Sequence, residues 1–254
     1  MSIDALVPLG THVCLPGEAL LEIAGEVTVK FGSGLMAQSS GSRVFARGTL
    51  CGPLVIDSTS PMPMYSVQRP RHARYIPRVG DPVVGAVLQT TNTSYRVTIG
   101  SSQPAVLDVL GFDGASKTNR PRLKPGDTVY CHVVSCERGL DVELSCCAVG
   151  GITAKDWTTG ESVFGALCGG YVVKVPPSFA LELLTQSDSV LSILGERLPF
   201  EACIGVNGRI WVRSGDDCPD REARVVAIAS CICESQYDDS ALAVRARVAA
   251  YFDK

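Results

Sequence analysis

The sequence predicts a mainly β protein with an α/β part at its C-terminal end: a small N-terminal β domain, a five-stranded barrel and a final α/β domain. Short apolar runs separated by glycine turns fill the first half of the chain, which is typical of strands and hairpins. Helix-like segments appear only after Pro176. A chain of 254 residues is long enough for two or three such domains, at roughly 150 residues or fewer each.

Residues 1–60 predict the small β domain, because apolar runs alternate with turns such as Gly32-Ser33-Gly34. They hold no catalytic constellation, so we expect a role in packing or partner docking. Residues 61–78 contain four prolines and little periodicity, and therefore predict a linker or an extended strap.

Residues 79–148 contain five strand-like runs, several of which alternate apolar and polar residues as half-buried strands do. The runs are Pro82 to Thr90, Tyr95 to Ile99, Ala105 to Leu110, Thr128 to Ser135 and Leu140 to Ser145. Five short strands with a long loop after the third predict an OB-type barrel, a fold whose face and loops commonly bind oligonucleotides. The turns that precede two of these strands, Val79-Gly80-Asp81-Pro82 and Lys124-Pro125-Gly126-Asp127, resemble those of the S-one RNA-binding domain.

The loop after the third strand is the best candidate for RNA contact. The segment from residue 69 to residue 124 carries nine Lys or Arg residues and three acids, whereas the whole chain has a net charge of −3. Such a basic segment suits a polyanion. The candidate RNA-binding residues are Lys117, Arg120, Arg122, Lys124, Phe112, Tyr95, Arg96 and Arg74, with Phe112 and Tyr95 as base-stacking rings.

Other interpretations of this segment remain open. The basic loop could be a solvated face or could dock on an acidic protein. Tyr130 and His132 share one strand face by period two, and that face could be the barrel interior as well as an RNA groove.

Residues 149–254 predict an α/β domain that resembles a KH domain. Helices are expected from Pro177, from Ser189, from about Pro219 to Glu234, and between Asp239 and Phe252. Asn207-Gly208 lies between two strand-like runs and predicts a tight hairpin with positive φ. A KH clamp places its GxxG loop between two helices, so we interpret Gly205, Asn207, Gly208 and Trp211 as a structural turn and domain interface.

Several classes of chemistry lack their sequence signals. The eleven cysteines and three histidines show no paired spacing for zinc, and many cysteines lie among apolar residues, which favours buried thiols in a reducing compartment. No P-loop, no GxSxG elbow and no carboxylate cluster with metal spacing occurs. Asp216-Asp217 is better interpreted as a turn before a helix. We therefore expect no catalytic residues, no metal and no cofactor. Neither a secretory signal nor a membrane-spanning run is recognisable.

The three domains together resemble the cap subunits of the eukaryotic RNA exosome. The most specific stretches are Tyr75 to Asp81, Gly114 to Pro121 and Gly205 to Val212, which are similar to the type called ribosomal RNA-processing protein forty. A sister cap subunit shares the layout and the GxNG motif, so the sequence leaves that alternative open.

The resemblance implies a non-catalytic subunit that binds single-stranded RNA, contacts RNase PH-like ring subunits and other exosome proteins, and lines the opening through which RNA is threaded for processing and degradation. It also implies a location in the nucleus, including the nucleolus, and in the cytoplasm, with no membrane partner. The competing hypothesis is a purely structural clamp of the ring that makes no RNA contact.

Overall fold

The computed structural model describes residues 2–5, 12–24, 30–41, 43–57, 64–67, 74–137, 139–151, 153–159, 161–185, 189–215, 220–238 and 241–252. The chain divides into two compact units, Met1–Ala73 and Arg74–Lys254. No helix in the described part of the chain is long and apolar enough to cross a membrane.

The first unit is a β domain of two four-stranded sheets. Its strands are β1 (Ser2–Ala5), β2 (Val13–Cys14), β3 (Ala19–Ala24), β4 (Lys30–Phe31), β5 (Leu35–Ser40), β6 (Arg43–Gly48), β7 (Gly52–Asp57) and β8 (Met64–Val67). The sheet orders are β1-β3-β6-β5 and β2-β7-β8-β4. Leu20, Leu21, Leu54 and Val67 are fully buried between the strands and form the core of this unit.

The predicted linker 61–78 is not wholly a linker. Met64–Val67 forms β8, which pairs antiparallel with β7 and parallel with β4. Tyr65 and Val67 alternate with Met64 and Ser66 and point into the core. The alternation typical of a strand is therefore present, but it spans only four residues. Residues 61–63 and 68–73 of the predicted linker, including Arg69 and Arg71, lie outside the described residues.

The second unit begins with the predicted five-stranded barrel. Its strands are β9 (Pro82–Thr90), β10 (Ser94–Thr98), β11 (Ala105–Phe112), β12 (Thr128–Ser135) and β13 (Glu143–Cys146). Their order is β13-β11-β10-β9-β12, and pairing of β12 with β13 closes the barrel. Alternate residues such as Val83, Val97, Leu107 and Val129 fill the interior, as period-two patterning requires. A short strand, β14 (Gly165–Leu167), extends the sheet at β12.

The α/β domain follows the barrel. Its elements are β15 (Tyr171–Lys174), α1 (Pro177–Thr185), α2 (Val190–Gly195), β16 (Phe200–Gly205), β17 (Arg209–Ser214), α3 (Arg221–Ser235) and α4 (Ala241–Phe252). The antiparallel sheet has the order β15-β17-β16. Ile210 and Val212 on one face of β17 pack in the same core as Ile228 and Ile232 of α3. The predicted helix start at Pro219 and the pair Asp216-Asp217 lie outside the described residues.

The GxNG hairpin differs in detail from the prediction. Gly205 pairs with Arg209, so three residues and not two form the loop. Gly208 donates its N–H to the Gly205 carbonyl at 3.0 Å and has φ +76°, and no non-glycine residue has positive φ in the described chain. The loop is thus a turn followed by a left-handed glycine, a common three-residue hairpin. Asn207 keeps ordinary backbone geometry.

The cysteines are divided between the interior and the surface. Among the ten described, Cys14, Cys131, Cys146 and Cys231 are buried, whereas Cys51 and Cys168 are exposed. Burial raises the pKa of Cys231 to about 11, which keeps this thiol protonated. In the described part of the chain, no three His, Cys, Asp or Glu side chains come together as a metal site.

Candidate nucleic-acid interface

The basic loop, residues 113–124, lies at one end of the barrel. Thr90 at the end of β9 donates its hydroxyl to the Leu123 carbonyl at 3.1 Å, and the Arg120 guanidinium donates to the Asn92 carbonyl at 2.8 Å. Residues 91–93 form the turn between β9 and β10. The basic loop and this turn therefore share one end of the barrel.

Within the basic loop, residues 120–124 alternate between the solvent and the barrel interior. Pro121 and Leu123 are buried, whereas Arg122 and Lys124 are exposed and Arg120 is half-buried. The spacing Arg-Pro-Arg-Leu-Lys in the sequence already carries this period of two, since an extended segment points alternate side chains to opposite sides. Three cations consequently project from the same side of one segment.

Lys117 extends the positive surface at the tip of the basic loop. Ser116 donates its backbone N–H to the Asn119 carbonyl at 2.8 Å, and its hydroxyl accepts the Asn119 N–H at 3.1 Å, so residues 116–119 form a tight turn with Lys117 exposed. Acidic side chains lie at the base of the loop. Asp113 accepts the Ala148 N–H at 2.8 Å. The Asp156 carboxylate packs so closely on Gly114 that a Cβ there would overlap it.

The prediction that Phe112 and Tyr95 stack on bases is wrong. Both rings are 3% exposed and belong to the barrel core, so neither offers a face to a base. Tyr95 and Val97 occupy the same face of β10, and strand parity directs both into the interior. The Tyr95 hydroxyl donates to the Pro121 carbonyl of the basic loop.

Tyr130 and His132 are covered by another aromatic ring. Phe164 stacks on Tyr130 at a centroid distance of 5.0 Å and lies 5.1 Å from the His132 ring. His132 is 8% exposed, and its Nδ1 is buried without a hydrogen-bond partner among the described residues. Burial lowers the pKa of His132, opposed by the nearby Asp113 carboxylate, and raises the pKa of Tyr130 to about 12. By strand parity this face is opposite to Val129 and Cys131, so it is the outer face of the barrel, and Phe164 covers it. It therefore does not line an RNA groove.

Arg96 and Arg74 are exposed but stand apart from the basic loop. Arg96 projects from the outer face of β10 and pairs with Asp141 at 3.4 Å. Because both side chains are exposed and the distance is long, this ion pair holds the Arg96 side chain only weakly. Arg74 precedes Tyr75, whose buried hydroxyl donates to Asp81 at 2.7 Å just before β9 begins. β9 runs from that end of the barrel to the loop end, so Arg74 lies nearer to the opposite end.

The GxNG turn contacts the barrel at the end opposite to the basic loop. Asn207 is 7% exposed, and its amide nitrogen donates to the carbonyls of Val84 and Ile99, both at 2.8 Å. Its amide oxygen accepts the Val84 N–H at 3.3 Å. A Cβ on Gly205 would overlap the Asn207 amide oxygen and lie 2.6 Å from the Val84 nitrogen, so glycine is required for this approach.

Neighbouring residues of the turn add contacts to the barrel. Val206 donates its N–H to the Pro82 carbonyl at 2.9 Å, and the Arg209 guanidinium donates to the Thr98 carbonyl at 2.7 Å. Sequence reasoning missed Arg209, although it directly follows the motif. Trp211 is 4% exposed and donates its indole N–H to the Gly169 carbonyl at 2.8 Å, where the chain passes from the barrel into the α/β domain.

Comparisons with known proteins agree with this architecture. Residues 75–156 match the family model described as exosome complex component RRP40, S1 domain, and residues 170–217 match a KH domain model. The exosome complex component RRP40 of Drosophila melanogaster is 34% identical over 205 residues, which cover 80% of this chain and 82% of the fly protein. The chain belongs to the RRP40 family of exosome components.

Two further comparisons support the RRP40 assignment and the fold. The exosome complex component rrp40 of Schizosaccharomyces pombe is 32% identical over 203 residues, covering 78% of this chain and 80% of the yeast protein. A crystal structure described as an exosome complex RNA-binding protein aligns with a TM-score of 0.54, covering 70% of this chain and 97% of that one. At 24% identity, that structure is evidence for the fold alone. The barrel is thus the S1 domain and the α/β domain is the KH domain.

The KH domain of this RRP40-family chain lacks the glycine clamp in its usual place. A KH clamp is a GxxG loop that holds the nucleic-acid backbone. Here α1 and α2 are joined by Gln186-Ser187-Asp188-Ser189, which contains no glycine and one acid. Of the two GxNG glycines, Gly205 lets the hairpin pack against the S1 barrel, and Gly208 makes a close contact with Val175 inside the KH domain.

Proposed function

We propose that this chain is a non-catalytic, RNA-binding cap subunit of the RNA exosome. In this role it stabilises the ring and guides single-stranded RNA into the central channel for processing and degradation from the 3′ end. Membership of the RRP40 family supports the assignment. The observation that carries it is the cluster of Lys117, Arg120, Arg122 and Lys124 on the end of the S1 barrel remote from the KH contacts.

The charges and the burial favour contact with the RNA backbone over contact with bases. Cations on one side of residues 120–124 can each approach a phosphate and release its counterions, which gives affinity without sequence selectivity. The two aromatic rings predicted to stack on bases, Phe112 and Tyr95, are buried and cannot do so. We therefore expect RNA binding that depends strongly on salt and weakly on sequence.

The test is a triple substitution of Lys117, Arg120 and Arg122 by Ala. Binding of a fluorescein-labelled oligouridylate is followed by fluorescence anisotropy over a salt series, with the chain alone and with the assembled exosome. For single strands, each phosphate that is no longer neutralised flattens the slope of log K against log salt by about 0.7, so the expected change is about 2 if all three cations bind phosphates.

A matched control removes the same charge elsewhere. Arg43, Lys174 and Arg245 are exposed and lie outside the basic loop, so their replacement by Ala lowers the net charge equally. This control should leave the slope nearly unchanged. Unchanged affinity and slope in the loop variant would refute the proposal that the basic loop binds RNA.

The second function to weigh is a structural clamp whose basic loop meets acidic surfaces of ring proteins. The same triple variant distinguishes the two, because a clamp would lose assembly with the RNase PH-like ring subunits while RNA affinity stayed constant. Co-purification with those subunits measures assembly. RNA degradation by the pure chain with added divalent metal would contradict the non-catalytic role.

The proposal extends to location. Exosome function in ribosomal RNA processing would place the chain in the nucleus, including the nucleolus, and in the cytoplasm. Imaging of a tagged chain checks this, and exclusion from the nucleus would contradict it.

A further inference from the structure

Tyr95 connects the rigid barrel to the basic loop. Its ring is 3% exposed in the S1 core, where Val97 and Leu107 also lie, so the position of the ring is fixed by packing. Its hydroxyl is the one polar atom of the side chain, and it donates a buried hydrogen bond to the Pro121 carbonyl. The bond thus joins a β-strand to the middle of the cationic segment 120–124.

This bond fixes the side from which the cations project. Pro121 and its neighbour Leu123 face the barrel, and the Thr90 hydroxyl holds the Leu123 carbonyl at 3.1 Å as a second tie. Because residues alternate along an extended segment, holding the backbone at 121 and 123 directs residues 120, 122 and 124 to solvent together. A loop without these ties would sample other orientations, and binding of each phosphate would then carry the entropy cost of ordering it.

We propose that Tyr95 is a positioning residue for RNA binding: through Pro121 it holds Arg120, Arg122 and Lys124 in the orientation that meets the phosphates. This inference rests on the proposed function, because it requires the basic loop to bind RNA. It replaces the predicted stacking role of Tyr95 by an indirect one. The chemical partner is the sugar-phosphate backbone of single-stranded RNA.

Tyr95→Phe tests the inference, since it keeps the ring in the core and removes only the hydroxyl. The matched control is Tyr75→Phe. Tyr75 belongs to the same core, is 6% exposed, and donates its hydroxyl to Asp81 at 2.7 Å, but its bond lies near the start of β9 and not at the basic loop. Each variant therefore loses one phenol hydrogen bond from the same barrel.

Anisotropy titrations with labelled oligouridylate, on the full chain and on the assembled exosome, give the affinity and the salt slope. For Tyr95→Phe we expect RNA affinity to fall by at least about threefold. The slope of log K against log salt should be flatter by about 0.7 for each phosphate that the loop no longer binds. Tyr75→Phe should match the unsubstituted chain in both. A general loss of stability would not change the slope, so the slope separates positioning from a merely structural role. Hydrogen exchange should also accelerate at the amides of residues 116–120 in Tyr95→Phe alone.

The outcomes separate this inference from the proposed function. Suppose that Tyr95→Phe keeps the wild-type affinity and slope while the triple Ala variant has a lower affinity and a flatter slope. This result would overturn the positioning role and leave RNA binding by the basic loop intact. Equal losses in Tyr95→Phe and Tyr75→Phe would also overturn it, because they would point to barrel stability. No effect of the triple variant would remove the proposed function, and the inference with it.

Discussion

Replacing Asn207 by Ala should separate the KH domain from the S1 barrel. The change removes three hydrogen bonds to the barrel backbone, two donated at 2.8 Å and one accepted at 3.3 Å. It also leaves the carbonyls of Val84 and Ile99 and the Val84 N–H buried without these partners. At about 1 kcal/mol for each hydrogen bond, the variant should lose about 3 kcal/mol of interface stability.

Urea unfolding followed by tryptophan fluorescence measures this loss. With a denaturant slope of about 2 kcal/mol per molar, a loss of about 3 kcal/mol lowers the midpoint by about 1.5 M. The chain has two tryptophans, and each reports on one domain: Trp157 packs against the barrel core and Trp211 lies in the KH sheet. We compare the two single-tryptophan variants made by replacing either Trp157 or Trp211 with Phe. With Asn207→Ala added, the two variants should unfold at different urea concentrations, whereas without it they should share one midpoint.

Asn92→Ala is the control for this experiment, because Asn92 is an exposed turn residue at the other end of the barrel. Its midpoint should equal that of the parent chain. If Asn207→Ala lowers the urea midpoint by less than about 0.3 M, the loss is smaller than that of one hydrogen bond. That result would refute the assignment of Asn207 as the main contact between the domains.

Three further predictions concern other parts of the second unit. Gly208→Ala forces a Cβ into positive φ and into overlap with the Val175 carbonyl, so thermal unfolding should show a loss of at least about 1 kcal/mol. Burial lowers the pKa of His132 in the folded state, so the unfolded state binds more protons. The free energy of unfolding should therefore fall as the pH decreases through about 6.5. His132→Phe should remove that part of the pH dependence in urea titrations. Arg247 binds Asp238 through two nitrogens at 2.6 and 2.8 Å, so Arg247→Ala should speed hydrogen exchange in α4, corresponding to about 1 kcal/mol, while exchange in the S1 barrel stays constant.

The sequence predicted the barrel well because several of its strands, such as β10, carry a period of two. Tyr95 and Val97 are buried on either side of exposed Arg96, and Val129 lies between the half-buried Thr128 and Tyr130. It predicted β8 poorly, since four residues flanked by prolines give too short a pattern to distinguish a strand from a strap. The three-residue GxNG loop was also beyond the sequence signal, because Asn-Gly fits two-residue and three-residue hairpins alike.

Aromatic residues were the main source of error at the site. Phe112 precedes the basic loop and Tyr95 lies on a strand that could line the same groove, and these placements suggested stacking. The parity of β10 places Tyr95 beside Val97 and opposite in direction to Arg96, so the period that identified the strand also assigned the ring to the core. The same period, applied to residues 120–124, would have predicted that the three cations share a side.

In the proposed function, one end of the S1 barrel holds the KH domain and the other end contacts RNA. At one end the close approach of Gly205, which has no Cβ, and the Asn207 amide hold the KH domain against Val84 and Ile99. That use commits the glycines to protein contact, and the α1–α2 connection that holds a clamp in other KH domains has none. In the proposed function, phosphate binding then depends on the opposite end of the barrel, where the cations of residues 117–124 are held by Tyr95 and Thr90. Substitutions at Asn207 should consequently weaken the contact between the KH domain and the S1 barrel before they lower RNA affinity. Substitutions in the basic loop should lower RNA affinity and leave that contact unchanged.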